Sequence, residues 1–307
     1  MRPVLLTSFD FAKGEGMDLL VGTSGFSYSE WKGSFYPAGL PDGEMLTSYA
    51  ERLPTVEINN TFYRMPQPSL LEGWNQKVAA PGFTFALKAP RSITHISRLK
   101  DAGDGTSRFL KVAATLGPRL GPLLFQTPPF LRKDAAVLRD FLALLPEGVK
   151  AAFEFRHPSW FDDEVTQILS DRGAALVAGD PDEGEALPLL PTARFGYLRL
   201  RAASYDLAGL VGWHERIAAQ PWETAYVYLK HEVLGPSYAQ GLLQLHRGQT
   251  PTLPVATPAQ AAPPKQRKAA KKAAVASKQA AKAAAKSDEA AKPQKRGLAA
   301  KKPPKKS

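Results

Sequence analysis

The chain has 307 residues and no cysteine, a length for one large domain or two ordinary ones, and it excludes disulfides, thiolate metal sites, iron–sulfur clusters and a cysteine nucleophile. Hydrophobic residues make up 44% and charged residues 22%, which fits a globular body with a packed core and excludes a wholly disordered chain. The net charge of +11 sits at one end: of 40 basic and 29 acidic side chains, 15 and 2 fall in residues 251–307, leaving 25 and 27 for a nearly neutral body.

From the N-terminus, residues 1–17 read as an extension. The apolar run Val4–Leu6 is too short for a signal-peptide core, and no run approaches a membrane span, so a cytoplasmic location is the expectation. Residues 18–249 alternate short apolar, β-rich runs with helix-period stretches. The strand candidates are Leu19–Gly22, Thr55–Asn59, Phe83–Lys88, Pro122–Gln126, Ala151–Phe155, Ala175–Ala178, Phe195–Leu200 and Ala225–Leu229. Runs apolar on both faces suit parallel strands buried on both sides. The helix candidates between them are Met45–Arg52, Leu70–Val78, Ser107–Leu116, Asp134–Leu145, Asp163–Asp171, Leu207–Ala218 and Ser237–His246, with Ser69, Asp134 and Ser237 near helix starts as caps. Eight such units predict an α/β protein, a (β/α)8 TIM-like barrel. One unit is defective, because residues 181–194 are too interrupted by proline for a helix. The rival is an open doubly wound sheet, but no G-x-G-x-x-G follows the first strand, so no dinucleotide cofactor is expected. Residues 250–307 are Lys, Ala and Pro with almost no large apolar side chain, a composition that predicts disorder in isolation.

Six stretches carry a resemblance: GTSGFSYSEWKGSFYP (22–37), VEINNTFYRMP (56–66), FALKAPRSITH (85–95), LLFQTPP (123–129), FEFRHPSW (153–160) and GYLRLR (196–201). Together, in this order, they resemble the domain of unknown function 72 family, the YecE-like proteins, over about residues 19–245. The resemblance implies a TIM-barrel fold and no established activity. It departs at the eighth strand, where Tyr226–Glu232 replaces an expected Asn-rich ending, and the basic tail, similar by composition to linker-histone tails, lies outside the family domain.

In a barrel the functional groups gather at the C-terminal strand ends and in the loops that follow. Those positions offer Ser24, Tyr28 and Trp31 after the first strand, and Glu57, Asn59, Asn60, Phe62 and Tyr63 at the second. The third gives Lys88, with Arg91 and His95 in its loop; the fourth gives Gln126; the fifth gives Glu154, Arg156, His157 and Trp160. Asp180 follows the sixth, and Arg199 and Arg201 close the seventh. Glu57 and Glu154 are candidates for acid/base work, with one carboxyl expected raised and the other kept ionised, or else partners of Arg156, Arg199 or Lys88 in buried ion pairs. Lys88 and His157 complete the candidate catalytic set. Tyr28, Trp31, Asn59, Asn60, Tyr63, His95, Gln126, Arg156, Asp180, Arg199 and Arg201 are the candidate substrate-binding residues. The cations point to an anionic ligand such as a phosphate or phosphodiester. A Schiff-base role for Lys88 requires a lowered pKa, which no sequence displays. A metal held by His95, His157, Glu154 and Asp180 is the lesser reading, because neither H-x-H nor H-E-x-x-H occurs, and no metal or cofactor is expected. A Ser24 triad lacks a nucleophile elbow. The aromatic run Phe26, Tyr28, Trp31, Phe35, Tyr36 either packs a small core over the barrel end, with Tyr28 and Trp31 the exceptions, or stacks a ring of the ligand.

In the tail, Lys265, Arg267, Lys268, Lys271 and Lys272 begin a run of 13 Lys and 2 Arg without aromatics, suited to nonspecific DNA or RNA binding and, lacking an apolar face, poorly suited to membranes. The expected function is a metal-independent enzyme acting on a phosphate-bearing ligand, nucleic acid included. The alternatives are a non-catalytic binding protein and a hydrolase or isomerase of small sugars or carboxylates with an incidental tail.

Overall fold

A computed structural model describes residues 16–180 and 186–254. The nine strands among them are β1 (Asp18–Ser24), β2 (Thr55–Ile58), β3 (Thr84–Lys88), β4 (Leu120–Gln126), β5 (Ala151–Glu154), β6 (Ala175–Leu176), β7 (Ala178–Asp180), β8 (Phe195–Leu200) and β9 (Thr224–Leu229). All pair in parallel, in the order β6-β5-β4-β3-β2-β1-β9-β8-β7. β6 bonds β5 and β7 bonds β8, and only Val177 separates them, its N–H still donating to Phe153 O on the β5 side. They are two halves of one barrel position, so the sheet closes on itself as an eight-position TIM-like barrel and the open-sheet alternative falls.

The pairing that follows the break has a local requirement. At Gly179 the backbone reaches φ +135°, and a Cβ there would lie 2.2 Å from Arg199 O. Only glycine takes this conformation and allows so close an approach. The strand has already changed partner at Val177, and Gly179 lets β7 lie close against Arg199 of β8, which the apolar run Ala175–Ala178 does not reveal.

Seven α-helices among the described residues cover the outside: α1 (Met45–Ala50), α2 (Pro68–Lys77), α3 (Gly103–Ala113), α4 (Ala135–Ala143), α5 (Asp163–Arg172), α6 (Leu207–Ala218) and α7 (Gly235–His246). Asp134 caps α4 by accepting from Val137 N–H, as its position predicts, and Asp162 and Asp206 cap α5 and α6 the same way. Ser69 and Ser237 are not caps. Each lies inside its helix, behind a proline in the first turn whose fixed φ begins the helix without a side-chain cap. α3 starts four residues before its predicted start and passes at Ala114 into a 3-10 stretch to Arg119, kinked at Gly117 (φ 54°) beside Pro118. No helix occurs between β7 and β8 in the described residues 186–194; there Leu187 bridges back to Gly179, in line with the defective unit. Pro251 is buried and Leu253 packs near Gly241 of α7, so the packed body continues past the change in composition.

The two faces of each strand fill two cores. Leu198, Leu200, Val227 and Leu229 point outward into the helix layer. Ala86, Leu124, Ala152, Val177, Tyr197 and Tyr228 point inward and fill the barrel. Following each inward column to its C-terminal end brings the chain to Glu57, Lys88, Gln126, Glu154 and Arg199. The sheet thereby delivers polar side chains to one end of an apolar plug.

Candidate functional site

Arg199 is the centre of this end. It is buried on β8, and its guanidinium spans the barrel between β2 and β5. One terminal nitrogen, Nη1, donates to Glu154 Oε2; the other, Nη2, donates to Glu57 Oε1 at 2.8 Å and reaches Asn59 Oδ1 at 3.3 Å. Nε lies 2.8 Å from Glu57 Oε2, close enough for an ion pair but outside hydrogen-bond geometry. Glu57 is fully buried and takes further donors from Ser24 Oγ (2.7 Å), Asn59 Nδ2 (2.8 Å) and Tyr197 OH (2.8 Å). Glu154 Oε1 accepts from Gln126 Nε2 (2.8 Å) and Arg156 Nε (3.2 Å). Every oxygen of the two buried carboxylates thus has a donor, as groups removed from water require.

The electrostatics follow. Burial alone would raise the Glu57 carboxyl, but the charge and hydrogen bonds of Arg199, the charge of Arg201 and the Ser24 hydroxyl outweigh it and hold the pKa down to about 2. Glu154 is likewise held well below the carboxylate range: burial opposes ionisation, and Arg199, Arg201, Arg156 and the Gln126 amide overcome it. This is the buried ion-pair alternative, with Arg199 and Arg156 as partners, and not one raised and one ionised carboxyl. A single guanidinium placed between the two lowers both. A two-carboxylate glycosidase needs one of the pair protonated as general acid, and neither is.

The group brought into the neutral range is Lys88. It closes β3, is 8% exposed, and donates from Nζ to Gln126 Oε1 at 2.7 Å. Its ammonium lies 4.2 Å from the centre of the Phe62 ring. Burial first and Arg199 second push its pKa down to about 7, against the smaller pull of Glu154 and Glu57. Thr61 Oγ1, donating to Lys88 O at 2.6 Å, ties the β2 loop to this strand end. His95 sits on a π-helical turn, Ser92–Ile96, with its ring edge-on to Phe62 at 4.8 Å and Nδ1 2.9 Å from Thr94 Oγ1. Its pKa is lowered by burial and then by Lys88, Arg156 and Arg91.

The structure brings together Glu57, Glu154, Lys88, Gln126, Arg156, Asn59, Arg199 and His95, all named by sequence. Arg201, buried one inward step beyond Arg199, adds positive charge to both carboxylates. Other candidates are engaged elsewhere. Asp180 accepts from Tyr205 OH (2.7 and 2.6 Å) and Arg201 N–H (2.5 Å), and its pKa is raised by burial despite those bonds. His157 Nδ1 caps its own 3-10 turn through Ser159 N–H and Oγ. Ser24 has its hydroxyl on Glu57, as a donor rather than a nucleophile. Asn60 and Tyr63 are exposed on the β2 loop.

Trp31 is a correction. It is 1% exposed, contacts Tyr28, Phe35 and Tyr36 with ring centres 4.6–6.0 Å apart, and donates Nε1–H to Glu232 O at 2.9 Å. A ring sealed in the core cannot stack a ligand. Tyr28 is half-buried with its hydroxyl on Ser24 O, so the aromatic run packs its own core. Two residues escaped the sequence reading. Tyr197 was concealed as an ordinary strand aromatic, although it shares the inward face of Arg199 and Arg201. His231 accepts from Val233 and Leu234 N–H and shapes the loop after β9.

Residues 20–266 match the family described as Protein of unknown function DUF72. The chain belongs to this family. Its curated relatives include UPF0759 protein YecE of Escherichia coli K12, 32% identical over 129 residues (42% of this chain, 47% of the relative), and UPF0759 protein YunF of Bacillus subtilis 168, 26% identical over 166 residues (50% and 58%). The chain therefore spans about half the length of the curated relatives it matches. Among solved structures, a DUF72 family protein from Thermotoga maritima superposes with a TM-score of 0.67 at 24% identity, covering 75% of this chain and 99% of the other. One from Enterococcus faecalis gives 0.61 at 17%, covering 76% and 98%. At these identities the structural likeness concerns the barrel fold, which matches the strand order above. Among the described residues no helix is long and apolar enough to cross a membrane, and no three His, Asp or Glu side chains gather as a metal-binding group.

Proposed function

We propose that the barrel mouth binds a phosphate-bearing ligand and performs metal-independent proton transfer on it, with Lys88 as the titrating group. One observation carries this reading: at the strand ends Arg156 is exposed and Lys88 is held by a neutral amide, while Glu57 and Glu154 are both engaged by Arg199. The two carboxylates are turned inward on Arg199, so the β2–β3–β5 side of the mouth keeps a positive field. Arg156, exposed and holding Glu154 at only 3.2 Å, has donors left for an anion; a guanidinium has five N–H groups in a fork that fits phosphate. Glu57 and Glu154 then serve as positioning residues for Arg199, not as acid and base. Calorimetric titration of the full chain with inorganic phosphate at low salt checks this. Arg156→Ala is expected to weaken binding about tenfold, the value of a charge-assisted hydrogen bond. Equal affinity in the variant and the parent would remove Arg156 from the site.

A nucleic-acid strand as the phosphate carrier is supported by the rim. Residues 59–67, 89–100 and 127–133, which follow β2, β3 and β4, contain no acidic residue and hold Arg64, Arg91, Arg98, Lys100, Arg132 and Lys133. Lys133 is paired with Asp162 and Glu164. Tyr63 is 76% exposed and Phe130 63%, with Arg98 over the Phe130 ring at 5.4 Å. Exposed rings among arginines suit stacked bases and a phosphate backbone. Lys265, Arg267, Lys268, Lys271 and Lys272 lie outside the described residues. Composition alone supports the tail as a nonspecific tether to DNA or RNA whose affinity falls with salt.

A further inference from the structure

Lys88 has unusual neighbours for a buried lysine. Among the described residues its Nζ forms no ion pair within 4 Å; its hydrogen-bond partner is the neutral amide of Gln126. The orientation of that amide is fixed, because its nitrogen donates to Glu154 Oε1 at 2.8 Å and the oxygen must then face Lys88. Flipping it would set NH2 against the lysine and oxygen against the carboxylate, losing both bonds. A carbonyl oxygen only accepts. It holds Lys88 by one N–H whether the amine is charged or neutral, and in the neutral amine it leaves the nitrogen lone pair pointing away from Gln126. Phe62 covers one flank of the nitrogen, and His95 meets the same ring. A carboxylate partner would have locked the ammonium; here Arg199 has taken both carboxylates instead.

We infer that Lys88 is a nucleophile whose amine condenses with the carbonyl carbon of an aldehyde or ketone that also carries a phosphate ester, forming an imine. The lone pair of Nζ forms the C–N bond while the carbonyl π pair moves to oxygen; the now-cationic nitrogen gives up one proton and the oxygen takes one, leaving a neutral carbinolamine. The carbinolamine then loses that hydroxyl, with a second proton, as water, and the nitrogen lone pair closes the C=N bond. Neutral amine, carbonyl and one proton become iminium and water, with no oxidant or reductant. His95, whose ring meets the Phe62 ring that Lys88 lies over, is the group assigned to pass these protons. The lowered pKa of Lys88 supplies the neutral amine near pH 7. The phosphate requirement rests on the anion-binding reading above.

The test incubates the full chain with sodium cyanoborohydride and one of three probes: glyceraldehyde 3-phosphate, glyceraldehyde, or a single-stranded oligonucleotide carrying an abasic-site aldehyde. Labelled lysines are then mapped by mass spectrometry. The expected result is saturable labelling of Lys88, at least tenfold faster than of any tail lysine, blocked by inorganic phosphate and lost in Lys88→Arg. That variant keeps a donor for Gln126, and its melting temperature verifies its fold. Whichever phosphate-bearing probe labels Lys88 faster tells a small phosphate ester from a strand. Labelling spread evenly over the tail lysines, or no labelling of Lys88, overturns the inference. Unlabelled Lys88 with intact phosphate binding fells the imine alone. Lys88 labelled equally by both glyceraldehydes upholds the imine and fells its phosphate requirement.

Discussion

Arg199→Met is expected to destabilise the barrel by about 3–5 kcal/mol at pH 7, the usual cost of removing one partner from a buried ion pair. Two carboxylates at the barrel end depend on this guanidinium, and neither reaches water to recover its solvation. The pH dependence separates this cause from simple loss of packing. In the parent protein the folded pKa of Glu57 is about 2, against 4.5 for the ordinary carboxyl. The unfolded chain therefore binds more protons between those values, and stability rises with pH across that window and is fully present above it. For Glu57 alone the contribution is on the order of 3 kcal/mol. Without Arg199 the largest cause opposing burial is lost for both carboxyls, so the variant gains less stability than the parent as pH rises across that window. The deficit should widen from pH 3 to pH 7 in urea unfolding followed at a series of pH values. A deficit under 1 kcal/mol, or one independent of pH, would mean that Arg199 does not hold the pair.

Trp31→Ala separates packing from ligand contact at the first loop. Truncating a buried tryptophan costs about 3–5 kcal/mol, and this one also leaves Glu232 O without its donor. In a domain of this size the melting temperature should fall by roughly 6–20 °C. The affinity of the folded fraction for inorganic phosphate should stay within about twofold of the parent's, because the ring faces the loop core and not the mouth. An unchanged melting temperature with lost phosphate binding would return Trp31 to the ligand.

The barrel was legible because its strands are buried on both faces and read as apolar runs closed by a polar residue. Glu57, Lys88, Gln126, Glu154 and Arg199 each break such a run where a buried charge needs a reason. The alternation Phe195, Tyr197, Arg199, Arg201 also placed both arginines on one face. Three things were hidden, each of them tertiary. The change of partner at Val177 and the close approach of Gly179 depend on the backbones of neighbouring strands. Trp31 reads alike whether its ring faces a core or a ligand, since an aromatic loop has no periodicity to orient it. The pairing pattern was the largest omission: Arg199 could have met one glutamate, both, or neither. That choice decides that both carboxylates are ionised and that Lys88 is left to a neutral amide.

In the proposed function this arrangement sets a titrating amine beside an anion site at the barrel mouth. The most direct measurement follows the lysine side chains of isotopically labelled full chain by NMR across pH 5–11, with and without inorganic phosphate, and assigns Lys88 from the spectrum of Lys88→Arg. A lysine that titrates near pH 7 and moves to higher pKa when phosphate binds is the predicted result, since a nearby anion favours the charged form. A Lys88 that titrates with the surface lysines above pH 10, unmoved by phosphate, would contradict the account.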